Sequence, residues 1–274
     1  MNLATFFKSL SSCLRRKNLV QGNKPTVSYE GIYESWEDAV ADSKGYEDMQ
    51  IINKAAQSFE KILAGKHKCE RDTFLYDEFQ YSLPLLLGLN FMQKKVGEIK
   101  LLDFGGSFAS SYFRNLDIVQ EFDLSWTVIE QTSVVQKACR MTTGFDNLLF
   151  LEERELESLV TNQDYNIILF GSCLQFLENP KTLVSKLFHD ALKTVVIEQT
   201  PVIQNGNTKL TVQQVGKPLY ESSYPAWHFA EKELISWFKD NYELKYTFNG
   251  PHIINKWDEF QSQLEDYVFT RREL

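Results

Sequence analysis

Leu101-Leu102-Asp103-Phe104-Gly105-Gly106-Ser107-Phe108-Ala109 decides how this chain is read. An apolar run, 99–104 (IKLLDF), enters a turn of small residues and leaves it in a helix-like stretch. Small residues let a ligand approach the backbone, and a helix start offers N–H groups that no helical carbonyl satisfies. Outward from this point, apolar strand-like runs at 125–130 (SWTVIE), 148–151 (LLFL), 165–170 (YNIILF) and 193–198 (KTVVIE) alternate with helix-like stretches near 110–119, 132–140, 154–160, 179–189 and 231–239. Uninterrupted apolar strands separated by helices predict an α/β fold with a mostly parallel sheet flanked by helices, Rossmann-like in character. Segments 241–248 and 251–256 are read as one or two closing strands.

The turn fits two ligand classes unequally. The dinucleotide fingerprint G-x-G-x-x-G falls on Gly105, Ser107 and Ser110, where only the first glycine is present. An acid followed by G-x-G-x-G, the adenosylmethionine pattern, falls on Asp103, Gly105, Ser107 and Ala109. There the acid is present and the later glycines are replaced by small residues. A carboxylate beside a pyrophosphate repels it. S-adenosylmethionine brings an ammonium and a sulfonium and no phosphate, so Asp103 suits its amino-acid end, with Gly105, Gly106 and Ser107 lining the approach. Asp is also a common turn residue, which leaves a purely local role for Asp103 open. Glu130 ends the next strand, where an acid can accept hydrogen bonds from two ribose hydroxyls; a solvated strand-end acid is the other reading. Gly171 and Ser172 follow the fourth strand and face the same crevice, with Gln175 toward an acceptor.

Residues 25–98 read as a helical cap. Ser35 is the expected N-cap of a short helix, a second helix runs over 48–64, and a third over 76–95 is interrupted or kinked at Pro84. Tyr81 on that third helix is expected to cover the cofactor. Arg71 either pairs with Asp72 or meets an anionic group of the cofactor or acceptor. Residues 99–274 form the ligand-binding domain. Residues 1–24 carry Lys8, Arg15, Arg16, Lys17 and Lys24 and no acid, so the net charge of −8 is +5 there and −13 elsewhere. With Leu3, Phe6, Phe7, Leu10 and Leu14 at helical spacing, this stretch either packs on the body or makes a weak peripheral contact with an anionic membrane surface. It is too broken for a membrane span; the four cysteines read as reduced thiols, so a cytoplasmic protein is expected. The acidic remainder argues against nucleic acid. Cys13, Cys69, Cys139 and Cys173 lack metal-ligand spacing, so no metal is expected.

The chain resembles a family of bacterial class I methyltransferases found among surface-polysaccharide genes. The resemblance is carried by Tyr29-Glu30-Gly31-Ile32-Tyr33, Ser35-Trp36-Glu37-Asp38-Ala39, Gly45-Tyr46, Glu70-Arg71-Asp72, the stretch 81–89, Leu102-Asp103-Phe104-Gly105-Gly106-Ser107, 165–177, Val212-Gln213 and Ser223-Tyr224-Pro225-Ala226-Trp227. It implies a class I methyltransferase fold, S-adenosylmethionine as cofactor, and a sugar or glycan precursor as the small-molecule acceptor. Transfer to a hydroxyl needs a base. The candidates are Glu198, which ends the fifth strand, and His228, the one histidine of four in an aromatic segment able to stack on a sugar. Both have structural alternatives, as a strand-end acid and as a surface residue ahead of the helix at 231. A nicotinamide-dependent oxidoreductase and a non-catalytic module of the same fold are the competing readings.

Overall fold

The computed structural model describes residues 27–272 apart from 46–48, 96, 218–220 and 257–259, so the basic segment 1–24 lies outside the described residues. In chain order the elements are β1 (Val27–Tyr33), α1 (Trp36–Ala41), α2 (Met49–Leu63), β2 (Cys69–Arg71), β3 (Phe74–Tyr76), α3 (Leu83–Lys95), β4 (Ile99–Phe104), α4 (Ser110–Arg114), α5 (Leu116–Val119), β5 (Leu124–Glu130) and α6 (Thr132–Met141). They continue with β6 (Leu148–Glu152), α7 (Leu156–Asn162), β7 (Ile167–Gly171), α8 (Pro180–Lys186), β8 (Thr194–Ile203), β9 (Lys209–Val215), β10 (Ser222–Ala230), α9 (Glu231–Ser236), β11 (Tyr242–Lys256) and β12 (Gln261–Arg271).

The central sheet runs β6-β5-β4-β7-β8-β12-β11. The first five strands are mutually parallel, and β12 alone is reversed between β8 and β11. Alternate side chains of the parallel strands enter two apolar layers. Leu101, Trp126, Val128, Ile167, Leu169 and Val196 pack against α2, α3, α4 and α6. Leu102, Phe104, Ile129, Ile168, Phe170, Val195 and Ile197 pack against residues of α7, α8 and α9. Helices following β4 and β5 thus cover one face and those following β6 and β7 the other. The strand order reverses between β4 and β7, which is where a doubly wound sheet opens its ligand crevice. The expected Rossmann-like fold, a mostly parallel sheet flanked by helices, is thus what the chain forms.

Two expectations are corrected. The region 25–98 is not wholly helical: β1 pairs with β9, and β2 with β3 forms a hairpin whose turn holds Asp72 and Thr73 at φ 50° and 67°. The third helix begins at Leu83, not 76. Ser82 caps it, its Oγ accepting the Leu85 N–H at 3.2 Å, and Pro84 sits in the first turn, where no intrahelical N–H is needed. Tyr81 therefore precedes the helix. Of the one or two closing strands expected after residue 240, the chain forms one, β11, and its partner is β12. Pro251 is tolerated because β11 is an edge strand whose register slips between Asn249 and Ile253.

One addition shapes the crevice. Val202 of β8 pairs with Gln263 of β12 on one edge and with Phe229 of β10 on the other. The edge that β7 occupies up to Glu198 is therefore taken over by β10 beyond it. With β9 and β1, β10 raises an antiparallel wall beside the carboxyl end of β7.

Candidate functional site

Asp103 is fully buried at the penultimate position of β4, opposite Val128 and Leu169. Its Oδ2 accepts the Trp126 indole N–H at 3.1 Å, and its Oδ1 has no hydrogen-bond partner. Burial, followed by the charges of Glu198 and Glu130, pushes its carboxyl up to about 7. The turn wraps this carboxyl: any Cβ on Gly106 would collide with it. A Cβ on Gly105, at φ 70°, would lie 2.9 Å from the Cys173 Cβ. Both glycines are therefore required by space, and Gly105 by conformation as well.

The next two positions of the pattern keep the backbone of glycine without being glycine. Ser107 has φ 53° and Ala109 φ 57°. A left-handed residue with a Cβ costs roughly 1–2 kcal/mol, so the turn holds a conformation its own residues disfavour. Backbone strain of this kind clusters where a ligand is gripped. Glu130 closes the turn from β5: its Oε1 accepts the Ser107 N–H at 3.1 Å and its Oε2 the Gln131 N–H at 2.8 Å. Each carboxylate oxygen can accept twice, so hydroxyl groups can still bind there. Burial raises the Glu130 carboxyl, and the two backbone N–H groups oppose the rise.

Across the crevice, Gly171 ends β7, and Ser172 at φ 56° donates its N–H to the Glu198 carbonyl at 2.8 Å. Gln175 donates to the Ser172 Oγ at 3.1 Å, and its buried Oε1 has no partner. Glu198 is buried, accepts the Ser82 hydroxyl, and stands beside Asp266 of β12. At that point both strands depart from regular pairing. Gln199 has φ 52°, β12 slips between Glu265 and Tyr267, and the Asp266 Oδ1 accepts the Gln199 N–H at 2.7 Å. Bulges of this kind re-aim side chains next to active sites. Burial and the Glu198 charge push the Asp266 carboxyl upward. Arg71, 3.8 Å from Asp72, and the buried Arg114 supply cationic charge that opposes the rise at Asp266. The turn, the strand end and the carboxylate pair thus form one connected polar interior.

The remaining candidates are held by other contacts. His228 is buried on β10, not a surface residue. Its Nδ1 is 2.7 Å from the Ser262 Oγ, and its ring meets Tyr29 edge-on at 4.5 Å. Burial lowers its imidazolium to about 3, so it stays neutral and is a weak base. Tyr224 and Trp227 are held in the wall: Tyr224 receives a hydrogen bond from Gln213 at 3.2 Å, and Trp227 stacks on Trp36 and donates to the Leu177 carbonyl. The Tyr81 hydroxyl donates to Asp117 in α5, beyond the helix that the turn begins. Asp266, Ser82 and Arg114 were absent from the sequence reading. A carboxylate inside a run of strand residues, Leu264-Glu265-Asp266-Tyr267, is the signal that marks Asp266. Among the described residues no group of three or more His, Cys, Asp or Glu is placed to hold a metal ion, and no helix is long and apolar enough to cross a membrane.

Comparison with known proteins is sparse at the level of sequence. No family model and no curated protein matches the chain. Solved structures match at low identity. The N-terminal domain of EvdMO1 with SAH bound is 12% identical, with a TM-score of 0.48, covering 84% of this chain and 100% of that one. The CcbJ methyltransferase from Streptomyces caelestis is 12% identical, with a TM-score of 0.44 and coverage of 68% and 88%. The MccD protein is 11% identical, with a TM-score of 0.46 and coverage of 69% and 96%. At these scores the fold rests on the strand order itself.

Proposed function

We propose that this protein is an S-adenosylmethionine-dependent methyltransferase. The observation that carries the reading is the β4 turn: three left-handed residues, Gly105, Ser107 and Ala109, wrapped over a buried acid and closed by Glu130. The residues fit the cofactor. Asp103 keeps one oxygen without a partner, Gly105 and Gly106 have no room for a side chain, and Glu130 retains acceptor capacity for ribose hydroxyls. Gly171 and Ser172 border the other side of the crevice. A dinucleotide is disfavoured because its pyrophosphate would approach the Asp103 carboxyl beneath Gly106, whereas Glu130 suits a ribose in either ligand.

When bound, the cofactor supplies an electrophilic methyl group. The chain's own residues hold it in line with the acceptor, which is where most of the rate enhancement in such a displacement arises. The acceptor hydroxyl loses its proton to the Glu198–Asp266 pair, since His228 is too weak a base and faces Ser262 and Tyr29. A sugar or glycan precursor as acceptor, and O-methylation of it, rest on the family resemblance in the sequence. Peripheral membrane contact through residues 1–24 rests on their charge and spacing alone.

The test is thermal stability with S-adenosylmethionine, S-adenosylhomocysteine and NADH. A ligand that binds only the folded state raises the melting temperature. We expect a rise with the first two and none with NADH; a rise with NADH alone overturns the reading.

A further inference from the structure

The methyl donor and its product differ by one methyl group and one positive charge, so an enzyme that must take up the first and release the second gains from a site that senses the charge. The acids around the β4 turn differ in how they are satisfied. Glu130 accepts two backbone N–H groups, Glu198 accepts the Ser82 hydroxyl, and Asp266 accepts the Gln199 N–H. Asp103 is the most enclosed of them, with no exposed surface, and its Oδ1 has no hydrogen-bond partner. Its carboxyl lies directly beneath Gly106, so close that no side chain fits between them. We propose that Asp103 distinguishes the cationic donor from the neutral product, being ionised when the donor is bound and partly protonated when it is not. This rests on the S-adenosylmethionine reading given above.

The charged and titratable groups around Asp103 support this. Glu198 from β8 and Glu130 from β5 oppose its ionisation, Arg114 from α4 favours it, and the Cys173 thiol after β7 is held neutral by burial and by Asp103 and Glu130. With its carboxyl at about 7, Asp103 is half protonated at neutral pH without ligand. A sulfonium and an ammonium above the turn add positive charge in a region of low dielectric and displace that proton to solvent. The product keeps the ammonium but loses the sulfonium, and so displaces less.

Isothermal titration in two buffers of different ionisation enthalpy reads the proton directly. At pH 7 we expect release of about half a proton per donor bound, and less with S-adenosylhomocysteine. Donor affinity is expected to rise about fifteenfold from pH 5.5 to pH 7, following the ionised fraction of Asp103, a window in which an α-amino group stays charged. In Asp103→Asn the proton release and the pH dependence disappear. In Trp126→Phe, which removes the donor to Oδ2, the rise moves to higher pH; this variant carries the test should Asp103→Asn not fold. Equal proton release by donor and product, or release that persists in Asp103→Asn, overturns the proposal while leaving cofactor binding intact. Failure of both ligands to bind overturns the underlying reading instead.

Discussion

Replacing Asp103 with Asn should stabilise the protein in alkaline solution while impairing its use of the cofactor. The wild-type carboxyl moves from 3.8 to about 7 on folding, chiefly because burial disfavours its charge. A carboxyl raised in this way binds more protons in the folded state than in the unfolded one between those two values. Stability therefore falls as pH rises from about 4 to about 7 and levels off above. Integrating the shift, the cost of this one group is roughly 4 kcal/mol at pH 8 and under 2 kcal/mol at pH 5. Asparagine carries no such charge and retains an oxygen to accept the Trp126 N–H. The stability difference between Asp103→Asn and wild type should then grow by about 2–3 kcal/mol in favour of the variant from pH 5 to pH 8. Urea unfolding of both proteins at the two pH values measures it. A difference that does not change with pH refutes the argument that a buried, ionisable Asp103 is held against its own preference.

Other substitutions probe separate links. Gly88 lies inside α3, where alanine usually stabilises a helix, yet its Cβ would approach the Val196 Cγ2 to 2.7 Å. Gly88→Ala should lower stability by about 1–2 kcal/mol in chemical denaturation, because the packed strand beneath cannot yield; a gain in stability shows that the helix can lift. Ser107→Gly should raise stability by about 0.5–1 kcal/mol, the relief of the left-handed strain less the added freedom of the unfolded chain, and a melting temperature at or below that of wild type contradicts the strain. Glu130→Gln keeps one acceptor for the turn but removes the charge, and calorimetric affinity for S-adenosylmethionine should fall at least about tenfold if a charged acceptor on a ribose is worth ~1.5–3 kcal/mol; an unchanged constant separates Glu130 from the cofactor.

The central sheet was legible because its strands are apolar on both faces and short. IKLLDF at 99–104 is the strand β4 to the residue. The antiparallel additions were hidden by the same logic. In β9 and β10, Gln213, Gln214, Ser223 and His228 interrupt the apolar pattern, and Pro225 weakens a strand reading, although long-range pairing with β1 and β8 holds both strands in place. β11 runs through Gly250-Pro251, a pair that ordinarily ends a strand. Within the site, Asp103, Gly105 and Glu130 could be read because strand, turn and next strand end are consecutive in sequence. Asp266, Ser82 and Arg114 could not, since they reach Glu198 and its surroundings from elements far apart in the chain. His228 illustrates the converse. Its aromatic neighbours in sequence suggested a sugar platform, but strand alternation places Trp227 against Trp36 and turns the histidine toward Ser262 and Tyr29.

The most direct test of the account is amide hydrogen exchange with and without saturating S-adenosylmethionine. Binding at the β4 turn predicts slowed exchange at residues 104–110, with further protection at 130–132 and 171–175, and little change in the β11–β12 hairpin. No protection at 104–110, or protection confined to other parts of the sheet, contradicts it.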